Sequence, residues 1–345
     1  MTVGSGASIV AAGGPARHIP VLLAEALQAL NVRADGVYLD GAFGAGGYSR
    51  ALIERGARVV AVDRDPAAIA AGWELVAASR GRLRLVEGRF GDLDAIARSV
   101  SAAPLDGVVL DVGVSSMQLD EASRGFSLRQ DAPLDMRMEG AGRTAADILR
   151  EDDERRIADI LFYFGEERAA RRIARAIVAD RQTSPYVSTR RLAEMIARVA
   201  PARPGETIHP ATRSFQALRI AVNDELGQLL GALEAAERAL KPGGRLVVVT
   251  FHSLEDRIVK QFLARRSGRG EAASRRLPGE PTPAEPTFLA AAGQPILPGQ
   301  AELAANPRAR SAKLRFGERA AAPARARDEE LDALTRLPPA RPGRG

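Results

Sequence analysis

Short apolar runs alternate with stretches of helical period in the first third of the chain, and this alternation constrains the fold more than any other feature. The apolar runs cover residues 37–42, 57–62, 83–86 and 107–112. Strands that are separated by helices pair in parallel, because each crossover helix returns the chain to the same end of the sheet. We therefore predict an α/β fold with a parallel, Rossmann-like sheet.

The alternation stops after the fourth predicted strand. Residues from about 145 to 200 have helical period throughout, and a long helix is predicted from about 213 to 240. One more apolar strand follows at 245–251, and residues 311–316 are a candidate returning strand. Because the strand pattern resumes after the helical block, we interpret that block as an insertion into the α/β domain.

A chain of 345 residues exceeds the size at which a single core usually stops growing, so we expect two domains. Their predicted bounds are 18–121, 210–266 and 306–319 for the α/β domain, and 122–209 for the inserted helical domain. The other segments lack a sustained period, and we expect a flexible N-terminus, a flexible loop and a disordered tail at 1–17, 267–305 and 320–345.

Composition excludes several classes of site. The chain has no cysteine, which rules out disulfides, thiolate metal sites and a thiol nucleophile. It has no signal-peptide pattern and no run of 18 apolar residues, so we expect a cytoplasmic protein with no membrane segment.

The net charge is +6, and nearly all positive charge is arginine, which binds phosphate bidentately. An arginine-rich codon bias would give the same composition.

A glycine-rich turn follows the first predicted strand, in DGAFGAGG at residues 40–47. Gly44, Gly46 and Gly47 would let the backbone approach a ligand at a helix N-terminus, although a tight turn without a ligand has the same pattern. The second strand ends at Asp63, 17 residues after Gly46, where a carboxylate can accept both ribose hydroxyls. These features are typical of NAD and S-adenosylmethionine sites alike.

Two further carboxylates favour S-adenosylmethionine. Asp40 ends the first strand, where it can face the cofactor's ammonium group, and Asp111 ends the fourth. A dinucleotide enzyme needs neither charge. Phe90, just after the third strand, is placed to lie against an adenine face with Asp92 nearby, although a core phenylalanine is the more common explanation for such a residue.

Seven long motifs, in order between about His18 and Arg319, resemble the RsmH (MraW) methyltransferases. They are DGAFGAGGYS (40–49), DVGVSSMQLD (111–120), PLDMRM (133–138), FGEERAARRIARAI (164–177), HPATRSFQALRIAVNDEL (209–226), FHSLEDRIVK (251–260) and NPRARSAKLR (306–315).

The resemblance implies a class I S-adenosylmethionine-dependent methyltransferase that methylates N4 of a P-site cytidine in 16S ribosomal RNA. Its partner would be the small ribosomal subunit or a late assembly intermediate, and the oligomeric state is left open. Carried over by position, the cofactor contacts would be Gly46, Gly47, Tyr48, Asp63, Phe90, Asp111 and Gln118, to which we add Gly44 from the turn. Tyr48 stands where the family usually has histidine.

Methyl transfer from a sulfonium is an in-line displacement, so placement of the acceptor outweighs any single base. Cytosine N4 is a poor nucleophile, and hydrogen-bond acceptors on its amino protons would help to localise its lone pair. Carboxylates and hydroxyls in the loops after the strands are candidates: Asp111, Ser115, Ser116, Asp135 and Ser253. Of these, we predict catalytic roles for Asp111, Asp135 and Ser253, and Asp111 fits a cofactor role better.

Four arginines in the helical block fall at i, i+3, i+4 and i+7 and so share one helix face, which suits phosphate contacts. A solvated face with ion pairs to neighbouring glutamates is the ordinary alternative. The predicted RNA contacts are Arg168, Arg171, Arg172, Arg175, His209, Arg213 and His252. Each histidine could equally be a hydrogen-bonded structural residue, and no ligand spacing indicates a metal site.

Two other functions are compatible with part of this pattern. One is a dinucleotide-dependent oxidoreductase, which the placements of Asp40 and Asp111 disfavour. The other is a non-catalytic RNA-binding assembly factor that has kept the cofactor fold, which the intact glycines and acids disfavour. A methyl-transfer assay separates all three functions.

Overall fold

The computed structural model of the chain describes residues 20–202, 205, 208–269, 284–290 and 293–339. The segment 1–17, predicted to be flexible, lies outside the described residues. Seven strands form one sheet: β1 Val37–Asp40, β2 Arg58–Asp63, β3 Leu83–Glu87, β4 Leu105–Asp111, β5 Leu240–Thr250, β6 Phe288–Ala290 and β7 Lys313–Arg319.

The strand order is β3-β2-β1-β4-β5-β7-β6. Strands β1 to β5 run parallel, and β7 runs antiparallel to both β5 and β6. The predicted Rossmann-like α/β sheet and the returning strand near 311–316 are therefore confirmed. The order reverses direction between β1 and β4, which is where open α/β sheets bind ligands.

Fourteen helices are present among the described residues. They are α1 Leu23–Leu30, α2 Gly47–Glu54, α3 Pro66–Ala78, α4 Leu93–Ser99, α5 Ser116–Asp120, α6 Ala145–Glu151, α7 Glu154–Gly165, α8 Ala170–Asp180, α9 Thr189–Val199, α10 Thr212–Asn223, α11 Glu225–Ala239, α12 Ser253–Arg266, α13 Gln300–Ala305 and α14 Glu329–Ala333. None of them is long and apolar enough to cross a membrane.

Both faces of the sheet are covered, because alternate residues of a strand enter two different cores. On β4, Val108 and Leu110 belong to the larger core, whereas Val109 belongs to the smaller one. Burial on both faces explains why these strands appear in the sequence as continuous apolar runs rather than as an alternation.

Helices α6 to α9 lie between β4 and β5 in the chain, so the helical character predicted for 145–200 is confirmed. Their apolar residues belong to the same core as one face of the sheet. Helix α7 packs closely on α10 at Gly165, where a Cβ atom would lie 2.5 Å from the carbonyl oxygen of Arg213. The helical insert is thereby fixed against the helix that leads back to the sheet.

The single long helix predicted from 213 to 240 is wrong, because the chain breaks between α10 and α11 at Asp224, whose φ is 49°. The break is set by long-range hydrogen bonds of the preceding residue. The side chain of Asn223 accepts from the backbone N–H of Met138 and donates to the carbonyl of Met136. A continuous apolar period does not reveal such bonds.

Two segments predicted to lack structure contain regular elements. Within the predicted loop 267–305, β6 pairs with β7, and its fully buried Phe288 packs on Phe262. Within the predicted tail 320–345, helix α14 buries Leu331 completely in the larger core. The predictions were wrong for these parts because short elements held by long-range contacts leave little local period.

Candidate active site

A cavity of about 400 Å³ lies at the carboxyl ends of the parallel strands. Loops after β1, β2 and β4 form one side, and residues from α10 and from the end of β5 form the other. The residues that line it include Gly44, Gly47, Tyr48, Asp63, Arg64, Phe90, Asp111, Ser115, Gln118, Gln216, Arg219, Phe251, His252, Asn306 and Arg308. Its size is that of an ordinary small-molecule site.

The glycine loop enters the cavity at the N-terminus of α2. Gly44 and Gly46 have φ of 51° and 75°, a conformation that disfavours side chains. Gly47 is required for a different reason, since a Cβ there would lie 2.2 Å from Pro20. Gly44 and Gly47 line the cavity, and Gly46 lies between them as the N-cap of α2.

Asp63 lies at the end of β2, as predicted, and its carboxylate borders the cavity. Its two oxygens accept from the backbone N–H groups of Gly44, at 2.8 Å, and Asp65, at 2.9 Å. Burial raises the pKa of Asp63 from its usual value, and the two backbone hydrogen bonds oppose that rise.

Asp111 ends β4 and lines the same cavity. Its Oδ1 atom is buried and has no hydrogen-bond partner among the described residues. Burial, together with the nearby carboxylates of Asp40 and Glu255, raises the pKa of Asp111 well above its usual range. A cationic ligand group in the cavity would remove this penalty.

Asp40 is buried behind the glycine loop and is not among the residues that line the cavity. Its carboxylate is fully buried, and it accepts from the Ser49 hydroxyl at 2.7 Å and from the backbone N–H of Ala42 at 3.3 Å. Burial raises the pKa of Asp40 to about 6. The expected direct contact of Asp40 with an ammonium group therefore finds no support in this geometry.

Tyr48 and Gln118, two predicted cofactor contacts, line the cavity, and their polar side-chain atoms form hydrogen bonds within the protein. The Tyr48 hydroxyl donates to the carbonyl of Val21. The Gln118 amide donates to Asp65 at 2.8 Å, and its oxygen accepts from the backbone N–H of Ser115 at 3.0 Å. Both side chains shape the cavity by fixing neighbouring segments. Phe90 also lines it, as predicted.

Three other candidate side chains do not reach the cavity. The carboxylate of Asp135 forms a bidentate ion pair with Arg137, and Ser253 donates to the exposed Glu166 instead. Asp92 borders a different polar cavity, which the C-terminal segment closes. The predicted catalytic positions of Asp135 and Ser253 are therefore not supported by the structure, and the side chain of Ser116 lies outside the described part.

A charged cluster that the sequence analysis missed lies beside the cavity. Arg219, from α10, forms a bidentate ion pair with Glu225 at 2.8 Å. Glu255 accepts from the backbone N–H of Phe251, and its other oxygen lies 3.0 Å from Nε2 of His252. The nearby His252 and Arg219 lower the pKa of Glu255 despite its full burial.

Glu225, His252 and Glu255 present ligand atoms within 4.8 Å of one another. Their sequence spacing gave no indication of this, because Glu225 comes from a different helix. The Arg219 guanidinium already forms an ion pair with the carboxylate of Glu225. The cluster is therefore built around an ion pair between residues of the chain itself.

The predicted RNA contacts separate into two groups. Arg168, Arg172, His209 and Arg213 line a second cavity of about 210 Å³ between the N-termini of α8 and α10. Arg171 and Arg175, on the same helix as Arg172, do not line it, and Arg175 lies 3.6 Å from Glu154. His252 lies at the first cavity.

Some of the missed residues carried a usable sequence signal. Gln216 and Arg219 follow the predicted Arg213 at intervals of three residues in one motif, and this spacing places them along the same side of α10. Asn306 and Arg308 lie far away in the chain and reach the cavity only through the fold, so no local pattern could have identified them.

Comparison with known proteins gives a consistent result. Residues 15–320 match the family model described as the MraW methylase family. A relative from Methylocella silvestris named "Ribosomal RNA small subunit methyltransferase H" is 65% identical over 340 residues, 98% of each chain. One of the same name from Beijerinckia indica is 63% identical, over 96% of this chain and 93% of the relative. A solved rRNA methylase from Streptococcus thermophilus is similar with a TM-score of 0.38 and 11% identity, over 86% of this chain and 95% of that one.

Proposed function

The chain belongs to the MraW methylase family, and from this premise we propose that it methylates the exocyclic N4 of a P-site cytidine in 16S ribosomal RNA. Its sheet is the Rossmann-like sheet of class I methyltransferases, and S-adenosylmethionine is the methyl donor. The relatives' name gives small-subunit ribosomal RNA as the substrate, which we extend to this chain. Membership in a methylase family is inconsistent with the dinucleotide-dependent oxidoreductase.

The observation that best supports this proposal is the buried Oδ1 atom of Asp111, which has no hydrogen-bond partner among the described residues, in a residue that lines a cavity of cofactor size. The donor set around it fits S-adenosylmethionine. Asp111 would accept from the ammonium group, Asp63 would accept from the ribose hydroxyls, and Phe90 would lie against the adenine.

S-adenosylmethionine supplies an electrophilic methyl group on a sulfonium when bound. The residues of this chain have to hold the acceptor nitrogen in position and exclude water around it. The side of the cavity formed by Gln216, Arg219 and His252 comes from segments that follow the helical insert. We assign this side to the incoming cytidine, with the Arg219–Glu225 ion pair holding α10 in place.

Asp111 is the one predicted catalytic residue that borders the cavity. Its carboxylate has two oxygens, so it can bind the ammonium group of the cofactor and also lie near an acceptor amine. We weight the cofactor role more heavily, because a full positive charge offsets the cost of a buried carboxylate better than a neutral amine does.

The test is methyl transfer from labelled S-adenosylmethionine to small ribosomal subunits that lack the modification, followed by mass spectrometry of the digested RNA. We expect N4-methylcytidine at a single P-site position. Finding 5-methylcytidine, or label only in protein, would contradict the proposal. RNA binding without any methyl transfer would instead support the non-catalytic assembly factor.

A further inference from the structure

Two helix N-termini meet at the second cavity, which we call the notch. Helix α8 begins there after Ala169, and α10 begins there after Ala211. The N-cap residues of the two helices are alanines, Ala169 and Ala211, which cannot cap with a side chain, so the positive end of each helix dipole faces the notch. The notch is lined by Glu167, Arg168, Ala169, Arg172, Ala200, Pro201, Ala202, Ile208, His209, Pro210 and Arg213.

The described residues that line the notch carry a net positive charge. None of the guanidinium groups of Arg168, Arg172 and Arg213 has a carboxylate partner among the described residues. Among the described residues, the one acid that lines the notch is Glu167, which is buried and whose carboxylate accepts from the backbone N–H of Ala169. Most other arginines of the insert, such as Arg150 and Arg143, do have acidic partners. An anion is therefore the ligand that fits this cavity.

We propose that the notch binds a backbone phosphate of the substrate RNA, next to the nucleotide that enters the active site. This proposal rests on the proposed function for the identity of the RNA. The position of the notch supports it, because Arg213 lies three residues before Gln216, which lines the active-site cavity. Three residues span about 4.5 Å along α10, slightly less than one helical turn. A strand whose base enters the cavity therefore passes the notch.

The notch divides the four predicted arginines into two pairs, and Arg168 lies in the turn before α8 rather than on the predicted helix face. Arg168 and Arg172 line the notch, whereas Arg171 and Arg175 lie outside it. All four side chains are exposed, and either pair can be replaced with the loss of two positive charges. The second pair is therefore a matched control for the first.

The test compares Arg168→Ala/Arg172→Ala with Arg171→Ala/Arg175→Ala in the full chain, with a 16S RNA fragment that contains the P-site region as the probe. We expect the first pair to weaken RNA binding about tenfold or more. It should also lower the slope of log affinity against log salt by roughly one to two. The control pair should change affinity by less than about threefold, and Arg213→Ala should act in the same direction as the first pair.

Equal losses of RNA affinity in the two double variants would contradict phosphate binding at the notch. They would indicate general attraction of RNA to a charged face. Unchanged RNA affinity in the first pair would contradict phosphate binding at the notch as well, even if that variant methylates intact subunits poorly, because a protein contact would then explain the defect. Calorimetry should give the same S-adenosylmethionine affinity for both pairs. If the wild-type chain produces no N4-methylcytidine but the salt slopes differ as expected, the proposed function fails and the notch stands.

Discussion

The carboxylate of Asp63 accepts a hydrogen bond from the backbone N–H of Gly44 across 2.8 Å. This bond joins the end of β2 to the loop that follows β1. A single side chain thus fixes the glycine loop and borders the cavity that the loop forms. Loop geometry and cofactor affinity are therefore expected to change together when Asp63 is replaced.

Replacing Asp63 with alanine should weaken S-adenosylmethionine binding by about tenfold or more. The change removes an acceptor for the ribose hydroxyls, worth about 1–3 kcal/mol, and releases the loop at Gly44. Isothermal titration calorimetry measures the affinity. Asp63→Asn keeps an acceptor oxygen and should lose less. Wild-type affinity in the alanine variant would contradict the assignment.

Replacing Asp111 with asparagine should weaken cofactor binding about tenfold to a hundredfold, because a charge-assisted hydrogen bond is lost. The raised pKa of Asp111 also predicts a pH effect. As the pH falls through that pKa, the carboxylate is protonated and no longer attracts an ammonium group, so wild-type affinity should fall. In Asp111→Asn this dependence should be weaker. Calorimetry at several pH values compares the two, and parallel profiles would refute the role.

Replacing Asp40 with asparagine should change how stability depends on pH. The pKa of Asp40 is raised from 3.8 to about 6 on folding, so the folded protein holds this proton more tightly than the unfolded chain does. The free energy of unfolding therefore falls as the pH rises between these values, by about 3 kcal/mol from this group.

Asp40→Asn lacks this titration, so its stability relative to the wild type should rise from pH 4 to pH 7. Urea unfolding of the cofactor-free protein at both pH values measures the difference. Acids far from Asp40 contribute equally in both proteins. Removing the Asp40 charge also brings the pKa of Asp111 closer to its usual range, which changes the difference in the same direction. A constant difference between the two proteins across this range would show that Asp40 titrates normally.

Replacing Arg219 with methionine should destabilise the fold by about 3–5 kcal/mol, since it leaves the buried Glu225 without its cation and Glu255 with one fewer nearby charge. Changing Glu225 to methionine as well should restore much of the loss. The exposed pair of Arg257 with Glu166 offers a control, and Arg257→Met should cost at most about 1 kcal/mol. Thermal unfolding measures these losses of stability. Equal losses in Arg219→Met and Arg257→Met would contradict the stabilising role of the buried cluster.

Replacing Leu331 with alanine should lower the free energy of unfolding by about 2–5 kcal/mol, because this side chain of α14 is completely buried in the larger core. The exposed Leu297 is the control, and its replacement by alanine should change stability by less than about 0.5 kcal/mol. Chemical denaturation measures both. An unchanged free energy of unfolding in Leu331→Ala would mean that the C-terminal segment does not pack on the core in solution.

Arg325 and Arg327, in the C-terminal segment, are engaged by other residues of the chain. Arg325 donates to the main-chain carbonyls of Arg265, Ala284 and Glu285, and Arg327 pairs with Asp332. These guanidinium groups hold the segment in place.

The amino-acid sequence by itself determined the parallel sheet, because strands buried on both faces must be apolar throughout. It also located the glycine loop and the acids Asp63 and Asp111, since the residue that ends a parallel strand lies at the ligand-binding end of the sheet. Both signals are local, and the structure needed only to bring the strand ends together.

Only the tertiary structure decided which polar side chains act together. Asp135 and Ser253 follow the right motifs, yet each is engaged by a partner, Arg137 and Glu166, that the motifs do not reveal. Helical period gathered four arginines on one face, but the approach of α10 to α8 selected Arg168 and Arg172 for the notch. Side-chain partnerships depend on contacts between residues far apart in the chain, and a local pattern carries no information about them.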